Sequence, residues 1–320
     1  MDAEERELFA KSLGRATAQH TGEALDAALD ELGWADALAA DPRAAVAGLF
    51  EHQGAANATS SALDLVLAAG LGLDPSRAGL AVVVPPLGRW SPPGEAGSSV
   101  RGLGTAALAR RAGAVVVSPT AGGAGAAAVV VAPDGLDLRT VGGIDPALGL
   151  VEVAGDGLAP ASRPTLADGA WPAAVAAGQR ALAHELVGAS RTMLDLAREH
   201  ALERVQFGRP IAAFQAVRHR LAEALVAVEA ADAALGAAWD DGTPFSAAVA
   251  KAVAGRSART VARHAQQVLA GIGFTTEHPL HRYVRRALVL DALLGGAHSL
   301  TRRLGEDLLA GRSLPSILPL

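Results

Sequence analysis

Along residues 173–309 the chain carries four long stretches in which apolar residues recur at helical spacing, and no other feature limits its fold as much. They cover residues 173–203, about 214–239, about 245–269 and about 284–309, with breaks at Asp240-Asp241-Gly242-Thr243-Pro244 and Gly271-Ile272-Gly273. Each stretch must bury one apolar stripe, and connections this short turn consecutive helices antiparallel. The spacing therefore predicts an antiparallel four-helix bundle.

The first part of the chain reads differently. Between Glu4 and Ala69 helical spacing recurs over shorter spans, as in Leu25-Ala28-Leu29-Leu32, with breaks expected at Gly33, Pro42 and Gly54. From Leu80 to Gly157 short Val-rich runs alternate with turn residues: 81–84, 114–117, 128–131, 136–141 and 150–153. That pattern predicts a small antiparallel sheet domain. Residues 158–169, with Pro160, Pro164 and Asp168-Gly169, read as a linker. The expected class is α+β, with an N-terminal helical region over 1–78, a middle β domain over 79–160 and the bundle over 170–320.

Composition narrows the chemistry. The chain has no cysteine, which excludes disulfides, thiolate nucleophiles and Cys-ligated metal centres. A net charge of −5 without a basic block, and one Tyr with six Phe, offer nucleic acid neither a phosphate track nor a stacking platform. No uncharged apolar run reaches the ~18 residues of a membrane span. The acidic opening Met1-Asp2-Ala3-Glu4-Glu5 is unlike a basic signal-peptide start, so a cytoplasmic protein is expected.

Two segments carry a family resemblance. Ala201-Leu202-Glu203-Arg204-Val205-Gln206-Phe207-Gly208-Arg209-Pro210, running on to Phe214-Gln215-Ala216-Val217-Arg218, resembles a hallmark stretch of the acyl-CoA dehydrogenases. Gln267-Val268-Leu269-Ala270-Gly271-Ile272-Gly273-Phe274 resembles the glutamine-x-x-glycine-glycine turn of the same family, in the expected order and spacing. The resemblance implies an N-terminal helical domain, a middle β domain and a C-terminal four-helix bundle, in agreement with the periodicity.

It also implies FAD at a subunit interface, held at its pyrophosphate and adenosine end by a neighbouring subunit. Arg204, Gln206 and Phe207 match the first contact, and Gln267 and Gly271 the second. A guanidinium can grip phosphate bidentately, an amide can bond adenine or ribose, and glycine admits close backbone approach. The alternative is that Arg204 and Gln206 only cap a helix that stops before Gly208 and Pro210.

The family's proton-abstracting glutamate has no counterpart. Counting from Arg285 puts its usual position at Leu294, within Leu293-Leu294-Gly295-Gly296, and leucine takes no proton. A second position used by some members falls at Gly178-Gln179. Glu185, seven residues on and near the same helix face, is the remaining candidate base, although a helical glutamate more often faces solvent or pairs with a neighbour such as Arg180. The middle region likewise lacks the family's flavin-holding strand ends.

Other signals lead elsewhere. Gly122-Gly123-Ala124-Gly125 precedes a strand instead of opening a helix, the wrong order for a dinucleotide loop. His184-Glu185 opens like a zinc-protease helix, but Gly188 stands where the second histidine belongs, and His278 and His281 lie in the family-like loop, so no metal is expected.

These residues fit a subunit of an FAD-dependent acyl-CoA dehydrogenase that serves a partner's flavin and has a degenerate site of its own. Its expected partners are a second dehydrogenase subunit, or copies of itself, and an acyl thioester of CoA or a carrier. A non-redox acyl-thioester enzyme such as a dehydratase, using Glu185 with His184 or Asp291, and a homomeric dehydrogenase with Glu185 as displaced base remain as alternatives.

Overall fold

The computed structural model describes residues 3–74, 79–95, 99–120 and 125–311. Five helices come first: α1 (Ala3–Gln19), α2 (Glu23–Glu31), α3 (Trp34–Ala40), α4 (Pro42–Ala56) and α5 (Ala62–Gly70). Helix α4 starts where sequence chemistry says it should. Asp41 accepts the Ala44 N–H at its N-cap, Pro42 occupies the first turn, and Asn57 ends the helix at a φ of 52°. Leu13, Leu25, Leu49 and Phe50 close this group around Trp34, whose indole N–H donates to the Ala45 carbonyl.

Gly54 does not break α4, contrary to the expectation. It lies inside the helix because a Cβ there would sit 2.1 Å from the Glu185 carbonyl, and a Cβ on Gly188 would sit 2.1 Å from the Glu51 carbonyl. The two glycines face each other's helix, so α4 rests backbone to backbone on the first bundle helix.

Eight strands follow: β1 (Leu80–Val82), β2 (Gly94–Glu95), β3 (Ser99–Gly104), β4 (Gly113–Pro119), β5 (Ala126–Val131), β6 (Asp137–Thr140), β7 (Val151–Gly155) and β8 (Pro160–Ser162). They form two four-stranded sheets, ordered β1-β4-β5-β8 and β2-β3-β7-β6. Pairing is antiparallel except between β1 and β4, which run parallel, so the middle region is two layers, the first mixed and the second antiparallel, and not one antiparallel sheet. Side chains alternate along β4: Ala114 and Val116 enter the core between the sheets, while Val115 and Val117 enter the core shared with the bundle.

The expected linker over 158–169 contributes β8 to the first sheet. The expected glycine loop at Gly122-Gly123-Ala124 lies outside the described residues.

The bundle comprises α6 (Ala170–Glu203), α7 (Gln215–Asp241), α8 (Pro244–Leu269), α9 (Leu280–Ala292) and α10 (Ala297–Gly311), with a short hairpin of β9 (Val205–Gln206) and β10 (Arg209–Pro210) after α6. Helix α6, 34 residues and about 50 Å long at 1.5 Å per residue, is buried along most of its first half because α4 and α5 cover one side and α8 the other. The fourth helical stretch is two helices. It is interrupted at Leu293–Gly296, where Leu294 takes a φ of 53° and Gly295 one of 100°. No helix among the described residues is long and apolar enough to cross a membrane.

Candidate functional site

The α9–α10 turn is held from below by a lysine with no solvent exposure. Lys251 Nζ, on α8, donates to the Asp291 carbonyl at 2.8 Å and the Gly295 carbonyl at 3.3 Å. Burial pulls the ammonium down to about 8. Asp291 accepts from Arg259 Nε at 2.9 Å, from Arg259 Nη2 at 2.6 Å and from the Ala297 N–H at 2.9 Å. Gly255 leaves room for that carboxylate, since a Cβ there would lie 2.0 Å from Asp291 Oδ1. Asp291 is thus committed to fixing the turn.

On this turn the two candidate base positions meet. Gln179 Nε2 donates to the Leu294 carbonyl at 2.9 Å, and a Cβ on Gly178 would lie 2.5 Å from Leu294 Cδ1. An amide and an isobutyl group therefore occupy the place. The turn is also clamped from the β side: the Gly88 N–H donates to the Ala292 carbonyl at 2.7 Å, and Trp90, whose carbonyl accepts from Trp171 Nε1, covers Gly295.

Two cavities adjoin the turn. One, of about 210 Å³, is lined by Leu293 together with Phe50, Gln53, Leu182, Glu185 and Leu290. The other, of about 390 Å³, is lined by Gln179 together with Trp90, Trp171, Phe245, Leu300 and Arg303.

Glu185 belongs to the first cavity. It is 2% exposed, and its partner is Arg286, which has no exposure, instead of the solvent or Arg180 that its helix position suggested. Arg180 stacks on Trp239, 4.8 Å from the ring centre. Glu185 Oε2 accepts from Gln53 Nε2 at 3.0 Å and Oε1 lies 3.4 Å from Arg286 Nη1. Arg286 donates also to Asp145 at 2.5 Å, the Ala58 carbonyl at 2.6 Å and Thr59 Oγ1 at 3.0 Å. Burial drives the Glu185 carboxyl up to about 7, against the pull of Arg286 and the Gln53 bond. A carboxyl near neutrality in an apolar-walled cavity can exchange a proton with a bound molecule.

For the dehydratase alternative, Glu185 with His184 or Asp291, the carboxyl hydrogen-bonds with neither, since its partners are Gln53 and Arg286. His184 Nε2 accepts from Trp239 Nε1 at 2.9 Å, so its Nδ1 carries the hydrogen and donates to Glu51 at 2.8 Å. Asp291 is engaged with Arg259, as above. Sequence reasoning missed Gln53, Asp145 and Arg286, and the only signal for them was an arginine on the apolar face of the α9 pattern.

The residues matched to flavin contacts lie at the far end of α6. Phe207 and Gly208, at φ of 52° and 79°, form the two-residue loop of the β9–β10 hairpin, a type I′ geometry. Phe207 is 93% exposed, edge-on to Phe214 at 6.0 Å, and Arg209 lies 4.4 Å over the Phe214 ring. Arg204 and Gln206 are exposed as well, and Gln206 Nε2 donates to the Val205 carbonyl. Gln267 is exposed in the last turn of α8, and nothing lies within 4 Å of where a Gly271 Cβ would be. His278, in the loop that follows, is lowered by burial and then by the charges of His200, in the last turn of α6, and His281. Two guanidiniums, two amides, an uncovered aromatic ring and an open glycine fit an anionic dinucleotide end.

A family model described as acyl-CoA dehydrogenase, C-terminal domain, matches residues 174–309. Acyl-CoA dehydrogenase IpdE2 of Mycobacterium tuberculosis is 40% identical over 126 residues, which cover 39% of this chain and 40% of that protein. The match thus spans less than half of this curated relative. Among solved structures, the Tcur3481-Tcur3483 steroid ACAD aligns with a TM-score of 0.77 at 24% identity, covering 96% of both chains. The ChsE4-ChsE5 complex from Mycobacterium tuberculosis aligns with a TM-score of 0.71 at 24% identity, over 97% of this chain and 89% of that one. Residues 174–309 thus match the C-terminal domain of the acyl-CoA dehydrogenases, and the described residues share the fold of these solved structures.

Proposed function

We propose that this chain is the non-catalytic subunit of an FAD-dependent acyl-CoA dehydrogenase that desaturates an acyl thioester, and that it supplies contacts to the adenosine and pyrophosphate of a partner's flavin. The observation that carries this reading is the contrast between two places. Where Gly178, Gln179 and Leu294 converge no side chain present is a base, while Arg204, Gln206 and Phe207 stand exposed at the end of α6 and on the hairpin that follows it. When bound, FAD would take the hydride that leaves the acyl chain.

In this reading Arg204 grips the pyrophosphate, Gln206 and Gln267 bond ribose or adenine, Gly271 admits the backbone close to the dinucleotide, and Phe207 covers its apolar face. The named pairs among the similar structures, Tcur3481-Tcur3483 and ChsE4-ChsE5, support a two-component assembly.

Co-expression with a full-length dehydrogenase homologue tests the proposal. A yellow hetero-oligomer is expected, and Arg204→Ala should release FAD from it while the subunits stay associated. A colourless homomer beside a homologue fully active alone would refute the idea.

A second reading, a homomeric dehydrogenase with Glu185 as displaced base, is favoured by the position of that carboxyl in a cavity wall and its rise to about 7. It requires FAD on the singly purified chain and loss of turnover in Glu185→Gln.

A further inference from the structure

The 210 Å³ cavity has a floor and a mouth of different chemistry. Its floor is buried: Leu182 is 1% exposed, Glu185 2% and Gln53 3%. At its other end Arg110 and Glu23, whose side chains are 51% and 69% exposed, form an ion pair at 2.5 Å. An apolar shaft therefore runs from a solvated ion pair down to one carboxyl and one amide.

The amide is engaged at both ends, its Nε2 donating to Glu185 and its Oε1 accepting from Ser60 Oγ at 2.6 Å. The carboxyl is not. Its two oxygens offer about four acceptor sites, and Oε1 receives only a long 3.4 Å contact from Arg286. When the carboxyl is ionised, a ligand that enters must bring a donor to Oε1. An anionic head meets a carboxyl, and an ammonium gives up its hydration in an apolar shaft whose carboxyl already has the Arg286 guanidinium beside it; an uncharged hydroxyl meets neither objection.

We propose that this cavity binds a small apolar molecule with a terminal hydroxyl, whose O–H is accepted by Glu185. The volume suits about eight to ten non-hydrogen atoms, since a cavity of 150 Å³ already takes benzene. The site is independent of the flavin-contact hairpin and stands whether or not Arg204 serves a partner.

The test uses the whole chain and ligand titration by calorimetry at about pH 8.5, where Glu185 is ionised, with four probes of matched length: 1-octanol, 1-methoxyheptane, octanoate and octylammonium. Octanol should bind in the submillimolar range, with the ether at least about tenfold weaker because it has no donor, and both ions weaker than the alcohol. Leu150→Trp, which fills the shaft, should abolish octanol binding in a variant that keeps the wild-type circular dichroism. Equal binding of alcohol and ether, tighter binding of either ion, or no octanol binding to the wild-type chain would overturn the proposal. The probe comparison needs no variant to fold.

Discussion

Glu185→Gln removes one titrating group from the buried cluster with little change in shape, and its effect on stability has a definite sign. The folded carboxyl is raised from an ordinary 4.5 to about 7, with burial as the leading cause. Folding therefore favours the protonated form. The resulting stabilisation is fully present below about 4.5 and is lost as pH rises through about 7. At about 1.4 kcal/mol per tenfold change in proton affinity, the loss comes to about 3 kcal/mol. For 320 residues, at about 2.1 cal/mol/K of unfolding entropy each, that is a fall of about 4–5 °C in melting temperature.

Glutamine keeps the bond to Gln53 but does not titrate. Wild type should therefore lose about 3 kcal/mol relative to the variant between pH 4.5 and pH 8, read by urea unfolding at matched protein concentration. Asp64, pushed up to about 6 by burial, tilts both proteins the same way and cancels from the difference. A wild-type minus variant difference that stays flat over that range would refute the reasoning.

Further outcomes are expected elsewhere. Lys251→Met leaves the Asp291 and Gly295 carbonyls without their buried donor and should cost about 2–3 kcal/mol, with faster amide exchange confined to the α9–α10 turn; uniform exchange would contradict its clamping role. Gly188→Ala places a Cβ 2.1 Å from backbone and should destabilise by about 2 kcal/mol or more, whereas Gly236→Ala, in open space on α7, should stabilise by about 0.5–1 kcal/mol. Thermal melts of the pair decide it, and similar shifts for both would argue against the tight α4–α6 crossing. Arg204→Ala, exposed at the end of α6, should leave the melting temperature of the isolated chain unchanged within about 1 °C while releasing FAD from an assembled complex.

The helices were legible because their punctuation is chemical. Asp41 and Pro42 open α4, Thr243 and Pro244 open α8, and the apolar period between such marks leaves one solution. Strand β3 was not legible because its glycines are read by propensity as turn residues. Gly102 is required where a Cβ would lie 2.3 Å from the Val84 carbonyl, a constraint visible only after folding. Gly54 misled for the same reason. The break at Gly295-Gly296 was in plain view, yet it lies between two apolar stretches in phase, so periodicity ran through it.

Of the candidate site, the positions Gly178-Gln179 and Leu294 could be counted from a motif, and the structure brings them together. The surroundings of Glu185 could not, because Gln53 and Arg286 are 132 and 101 residues away and converge only through the crossing of α4, α6 and α9.

Strand β4 serves two cores at once, Ala114 and Val116 in one and Val115 and Val117 in the other. Neither layer can melt without stripping one face of that strand, and a strand stripped on one face exposes the valines that held the other. The sheet and bundle therefore share their unfolding free energy, so loosening of the bundle is reported to the rest of the chain as lost cooperativity instead of staying local.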